Sequence, residues 1–256
     1  MTKKEFYSII MHPETLVVAN NSGGKDSQNL YLELREMDLG DRLVVIHAHL
    51  PEVEWEGSID FIKSTIDHEL FVVQAKKTFF DLVKRRYELN PERPCFPSPN
   101  LRQCTSDLKR APIAKQIRKL SNERGYKTVI NAMGMRAQES SCRAKKPILK
   151  TNKKETNGKR RIIDWLPIHH KTEAQVFDEI KAKGQKPFWV YKEGMTRKSC
   201  KYCIMSSRCD LKTAAKLNPD GILLDKIDDF EIKTGHTMIM PTKKQGKRTL
   251  KEIINS

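Results

Sequence analysis

Six residues, Ser22-Gly23-Gly24-Lys25-Asp26-Ser27, constrain this chain more than any others, because they stand between a short apolar run and a helical pattern. The run Thr15-Leu16-Val17-Val18-Ala19 reads as a buried strand, and Leu30, Tyr31, Leu34 and Met37 recur at helical spacing over 27–38. A strand that passes through a Gly-rich turn into a helix N-terminus makes an anion cradle. The glycines let backbone N–H groups approach, the helix dipole favours negative charge, and Lys25 adds a cation. The usual nucleoside triphosphate loop is excluded: it needs a Gly five residues before the Gly-Lys pair and a hydroxyl residue after the Lys, and Ala19 and Asp26 fill those places. An unspecialised βα turn is the plain alternative, and strand, glycines, Lys, Asp and paired Ser in order favour the cradle over it.

The same alternation continues downstream. Strands are predicted over 42–49, 71–74 and 128–133, and helices over 57–69, 78–87, 112–123, 172–183, 210–217 and 221–234. Repeated βα units predict an α/β fold, a doubly wound parallel sheet with ligands at the C-terminal ends of its strands. The cradle and Gly134-Met135-Arg136 both fall at such ends. Residues 1–185 are expected to form the nucleotide-binding α/β domain, and 186–256 a cysteine-containing helical region packed on it. Four of the twelve prolines fall between Pro91 and Pro99, which makes that stretch a loop. Residues 145–161 break the pattern with a Lys-rich, aperiodic stretch that reads as an exposed loop or β-ribbon, and the basic tail 243–248 is expected to fray.

The net charge of +16 is the surplus expected of a protein with a polyanionic partner, nucleic acid first, although a Lys-rich solvated surface also accounts for it. No run is long enough to cross a membrane and the N-terminus lacks the apolar stretch of a secretory signal, so a soluble cytoplasmic protein with no membrane partner is expected. In that compartment the six cysteines are expected to be metal-binding or catalytic rather than disulfide-bonded. Cys200-x-x-Cys203 has the gap that lets two thiolates bite one metal, Cys209 follows, and Cys104 stands far upstream. Zinc or an iron–sulfur cluster would suit such thiolates. Cys95 and Cys142 read as bystanders, and the cations Arg102 and Lys109 are expected to lower the pKa of Cys104.

In Gly134-Met-Arg136-Ala-Gln-Glu139-Ser140-Ser-Cys-Arg143, the two arginines can grip phosphates with planar forks, and Glu139 can orient one of them. A capping turn is the plain alternative. Asp26 can ligate the magnesium that accompanies ATP or simply cap its helix. His47 and His49 end a strand that should border the nucleotide, and His169-His170 carry no clear signal.

With these residues in hand, the chain resembles the phosphoadenosine phosphosulfate (PAPS) reductase family of the PP-loop superfamily, whose ATP-cleaving members break the bond between the α and β phosphates. The resemblance rests on Ser22–Ser27, Arg102-x-Cys104-Thr-x-x-Leu-Lys109, Gly134-x-Arg136-x-x-Glu139-Ser140-x-x-Arg143, Trp165-Leu-Pro-Ile168 and Tyr191-x-x-Gly194-x-x-Arg197-x-x-Cys200-x-x-Cys203, in order over about 15–240. It implies an adenine-nucleotide α-hydrolase-like fold. The sulfonucleotide reductases of the family act through a thiol on a C-terminal tail and tend to have degenerate phosphate loops. Here no cysteine follows Cys209 and the loop is intact, so the better parallel is the ATP-cleaving DNA phosphorothioation protein C branch, along with PP-loop tRNA thiolases. The resemblance implies that Ser22, Gly23, Gly24, Lys25, Asp26, Ser27, His47 and Gly134 bind ATP and magnesium, and that Lys25, Asp26, Arg136 and Arg143 are catalytic. It also implies a four-iron cluster, with zinc the alternative, on Cys104, Cys200 and Cys203. Cluster-bearing reductases have a Cys-Cys pair where this chain has Gln103-Cys104, so Cys209 either supplies the fourth ligand or leaves one iron open. The expected activity is adenylylation of an acceptor for sulfur transfer to nucleic acid, DNA or tRNA, with a sulfur-donor protein as a further partner. PAPS reduction and a non-catalytic nucleic-acid-binding protein with structural zinc are the alternatives.

Overall fold

The computed structural model describes residues 2–241 and 246–256. Six strands, β1 Thr15–Asn20, β2 Leu43–Ala48, β3 Leu70–Val73, β4 Thr128–Met133, β5 Leu149–Thr151 and β6 Arg161–Trp165, form one sheet in the order β3-β2-β1-β4-β6-β5. All neighbours are parallel except the edge pair β5–β6, which is antiparallel. The helices in chain order begin with α1 Lys3–Met11, α2 Lys25–Arg35, α3 Ser58–Ser64, α4 Phe79–Leu89, the short α5 Gln103–Thr105 and α6 Ala111–Glu123. They continue with α7 Ser141–Ala144, α8 Glu173–Ala182, α9 Arg208–Leu217, α10 Ile222–Thr234 and α11 Leu250–Asn255.

The chain divides into two units. The first comprises residues 1–48, 57–73 and 112–188, and the second 49–56, 74–111 and 189–256. The second unit therefore draws on two internal segments besides the C-terminal region anticipated from the sequence.

The first unit holds the whole sheet. Its central strands are apolar on both faces, as a parallel sheet covered by helices requires. On β1, Val17 and Ala19 pack with Leu30, Tyr31 and Leu34 of α2 and Phe6 and Ile10 of α1, whereas Leu16 and Val18 pack with Ile117 and Leu120 of α6. The alternation of side chains along a strand thus sends the two halves of β1 into separate cores. Strand order reverses at β1, with β2 on one side and β4 on the other. Such a switch point opens a crevice at the strands' C-terminal ends.

A line of polar side chains crosses this sheet. The Asn20 amide donates to Asn131 (2.7 Å), Asn131 donates to Asp164 (2.7 Å), and Asn152, just beyond β5, donates to the same carboxylate (3.1 Å). Four strands or their ends are joined by groups that the low dielectric makes costly to leave unpaired.

Several boundaries differ from expectation for local reasons. Helix α3 stops at Ser64, where the Thr65 hydroxyl donates to the Phe61 and Ile62 carbonyls (both 3.0 Å) and the Asp67 N–H donates to the Tyr31 hydroxyl (2.8 Å). The Lys-rich stretch is a ribbon at its base, where β5 pairs with β6. Of the basic tail expected to fray, residues 243–245 lie outside the described residues, and α11 follows it with a reciprocal Thr249–Glu252 cap.

In the second unit, Phe80 packs on Phe230 at 5.1 Å and Lys226 lies over the Phe80 ring. Buried Glu231 of α10 accepts the N–H groups of Met238 (2.6 Å) and Leu250 (2.8 Å), fixing the start of α11. Burial holds its carboxyl above the ordinary carboxylate value, although the two donors pull the other way. The native state then keeps a proton that the unfolded chain releases near pH 4.5, so stability falls as pH rises through that window. Urea titrations should show Glu231→Gln losing that slope and Glu231→Ala costing roughly 2–3 kcal/mol, since two buried N–H groups lose their acceptor.

Candidate nucleotide and thiol sites

The cradle lies at the switch point of the first unit. Gly23 adopts a left-handed φ of 73°, and Gly24 caps α2 without a side-chain bond, so the first turn of the helix meets the cradle with its own N–H groups. Asn21 sets the loop. Its side-chain oxygen accepts the Gly23 N–H (2.8 Å) and the Ser27 hydroxyl (3.0 Å), and its carbonyl accepts Nδ1–H of buried His47 (2.8 Å). Ser22 donates its N–H to the Ser27 hydroxyl (3.1 Å), closing the turn.

Lys25 is only 2% exposed. Its ammonium contacts Glu173 at the start of α8 (2.9 Å) and Asp26 (3.4 Å), and it lies 5.7 Å from the Phe177 ring centroid. The other oxygen of Asp26 takes Nε–H of buried Arg136 at 2.5 Å. Arg136 also donates to Gln138 (2.8 Å), while its backbone N–H is capped by Glu139 (2.9 Å), whose second oxygen pairs with Arg143. His169 donates from Nε2 to the Arg143 carbonyl (2.9 Å), which gives that histidine a structural place the sequence had not suggested. A Cβ at Gly134 would stand 2.6 Å from the Asp26 carbonyl oxygen, so the turn after β4 and the start of α2 touch backbone to backbone.

The structure thus brings Ser22, Gly23, Gly24, Lys25, Asp26, Ser27, His47, Gly134, Arg136 and Arg143 into one connected set. Asn21, Glu173, Phe177 and Gln138 belong to it as well. Asn21, a turn-forming type two residues before Gly23, carried a signal that went unused, whereas Glu173 and Phe177 lie on a helix far along the chain and gave none. Glu173 and Asp26 hold the Lys25 ammonium between two carboxylates. A bound polyphosphate would take over that cation.

The thiols belong to the second unit. Cys104, Cys200 and Cys203 gather around half-buried Lys109, whose ammonium is held above its usual value chiefly by Cys200, with Cys203, Cys104 and Glu54 adding to it. A wide π-type turn over Ser106–Arg110 carries that lysine. Burial pushes Cys104 and Cys200 up, and Lys109 only partly offsets it. Lys109 does pull the Cys104 thiol down as expected, but desolvation outweighs it, so the net lowering expected from the sequence is overturned. Buried Lys198 pairs with Glu54 (3.0 Å), and the other oxygen of Glu54 meets His49 (2.8 Å). Cys209 is exposed in the first turn of α9; Cys95 is buried and Cys142 exposed.

The donor set is all sulfur, which fits either an iron–sulfur cluster or zinc. Among the described residues the three sulfurs do not all lie within 4.8 Å of one another. A closed zinc tetrahedron needs sulfur–sulfur spans of roughly 3.8 Å, from zinc–sulfur bonds of about 2.3 Å.

The family model of the phosphoadenosine phosphosulfate reductase domain matches residues 16–206. An uncharacterised 37.8 kDa protein of Escherichia phage 186 is 29% identical over 164 residues, covering 62% of this chain and 47% of its own. The chain thus spans about half the length of that relative. Among solved structures, a PAPS reductase from Candida auris in complex with phosphate aligns with TM-score 0.47 and 13% identity over 77% of this chain and 85% of its own. An FMN adenylyltransferase from Candida glabrata, in complex with FAD and pyrophosphate, aligns with TM-score 0.44 and 14% identity over 74% and 56%.

Gly134→Ala should displace the Asp26 backbone. We expect a stability loss of about 1–3 kcal/mol by chemical denaturation, together with weakened ATP binding by calorimetry. An unchanged ATP affinity would separate the turn after β4 from the cradle.

Proposed function

The chain belongs to the phosphoadenosine phosphosulfate reductase family, and within it we propose that this protein cleaves ATP to AMP and pyrophosphate to adenylylate an acceptor for sulfur transfer. The observation that carries the reading is the complete cradle: left-handed Gly23, uncapped α2, and Lys25 held beside Asp26 and Arg136.

In this mechanism the triphosphate lies over the N-terminus of α2, and Lys25 exchanges Glu173 for the β and γ phosphates. An acceptor oxygen attacks the α-phosphorus, the bond to the bridging oxygen breaks, and pyrophosphate leaves with the negative charge that Lys25 neutralises. The acceptor's proton passes to solvent. Arg136, fixed by Asp26 and Gln138, orients the α-phosphate, and Arg143 faces the acceptor. Asp26 is the carboxylate available to the magnesium that accompanies ATP. A sulfur nucleophile then replaces the adenylylated oxygen, and AMP leaves. Cys104, Cys200 and Cys203 would hold the iron–sulfur cluster, which when bound supplies sulfur or electrons. The all-sulfur donor set supports a cluster and leaves zinc as the alternative. The charge of +16 supports a nucleic-acid acceptor. No described helix is long and apolar enough to cross a membrane.

Family membership also keeps sulfonucleotide reduction as a second reading. Release of sulfite from PAPS, without pyrophosphate from ATP, would establish it instead.

Pyrophosphate release from ATP is the direct test. Lys25→Ala is expected to lower it by about 10²–10³-fold, as loss of a group stabilising transition-state charge does. Unchanged release would remove the proposed role. Anaerobically purified protein should carry iron with matching acid-labile sulfide, and Cys104→Ala should abolish both; zinc without sulfide would make the thiols a structural clip.

A further inference from the structure

We propose that the basic edge of the sheet, from Lys145 to Arg161, is the docking surface for the phosphate backbone of a double-helical nucleic acid. This deepens the functional reading above by naming where its acceptor lies.

Between residues 145 and 161 the chain places eight Lys or Arg against one acid, Glu155. That acid is already engaged by Arg118 at 2.6 Å. Three other polar side chains of the segment, Asn152, Thr156 and Arg160, are bonded within the protein. The Asn152 amide donates to Asp164, the Thr156 hydroxyl accepts the Ile162 N–H (2.9 Å), and Arg160 is buried and donates to Asn122 (2.7 Å). The Asn157 side chain accepts the N–H groups of Lys159 (2.9 Å) and Arg160 (3.2 Å), forming the tight tip. Lys146, Lys150, Lys153, Lys154, Lys159 and Arg161 are all exposed, and among the described residues none is paired with an acidic side chain. The segment is therefore an ordered scaffold that spends its neutral groups on itself and presents its charges outward.

Protection of a sheet edge explains a lysine on β5, namely Lys150. It does not explain Lys153, Lys154 and Lys159, which lie beyond the paired strand. The cationic edge runs alongside β6, whose five residues span roughly 16 Å, about five phosphate intervals along one strand of a duplex. One end leads back to Arg143 and Glu139, in the nucleotide set. The segment 143–161 contains no aromatic residue, so it lacks the stacking platform that single-strand binders use, and a duplex backbone is the fitting occupant.

The experiment measures anisotropy of a labelled 20-base-pair DNA duplex, an RNA duplex and a single strand with the full chain between 50 and 200 mM salt. K153E/K154E/K159E is expected to weaken duplex binding at least about tenfold and to reduce the salt slope by about 2–3. The control K63E/K216E/K233E, an equal charge change at exposed lysines elsewhere, is expected to stay within about twofold of wild type. Wild-type affinity in the first variant, an equal loss in the control, or tighter binding of the single strand would each overturn the proposal. So would equal competition by anionic lipid vesicles. ATP binding and pyrophosphate release are read in parallel. Duplex docking without ATP cleavage keeps the surface and removes the functional reading, whereas ATP cleavage without duplex binding does the reverse.

Discussion

The contact between Asp26 and Arg136 is where the first unit is joined into a site. The two residues follow different strands, β1 and β4, which become neighbours because the strand order reverses between them. A switch point by itself only opens a crevice. Here the crevice is spanned by an ion pair of 2.5 Å and by a backbone approach that only glycine at position 134 permits. Lys25, Glu139 and Arg143 take their positions from that join, since each touches one of the two paired residues or its cap. A buried guanidinium needs its carboxylate. The arrangement therefore holds the two turns that follow β1 and β4 at a fixed separation.

The two sites use charge in opposite ways. In the nucleotide set, cations and anions balance within hydrogen-bonding distance, so an incoming polyphosphate has to displace carboxylate partners. In the thiol set, burial pushes Cys104 and Cys200 up and the neighbouring Lys109 only partly offsets it. A metal bound by these thiols would have to displace their protons.

Much of this was readable along the chain. The apolar runs gave β1, β2 and β4 because strands covered on both faces leave continuous Val, Ile and Leu. The cradle was evident because Gly23, Gly24 and Lys25 are consecutive. What escaped was carried by weaker or longer-range signals. Helices α1 and α11 are each announced by Thr-x-x-Glu, at Thr2–Glu5 and Thr249–Glu252, but are too short to show a clear apolar period. Glu173 and Phe177 reach Lys25 only through the fold. The pKa of Cys104 was misjudged because sequence shows which cations are near in the chain, while burial, the larger influence, depends on packing.

The polar line Asn20–Asn131–Asp164–Asn152 bears on a different matter, the fidelity of strand pairing. A sheet core built of Val, Ile, Leu and Ala is tolerant of a two-residue slip, which returns similar side chains to the same face. The amide and carboxylate groups are not tolerant, because a slipped strand would leave each half-buried without its partner. They act as a registration mark that admits one alignment of β1, β4 and β6. The turns that follow β1 and β4, which carry the candidate site, are thereby set level with each other by residues outside it.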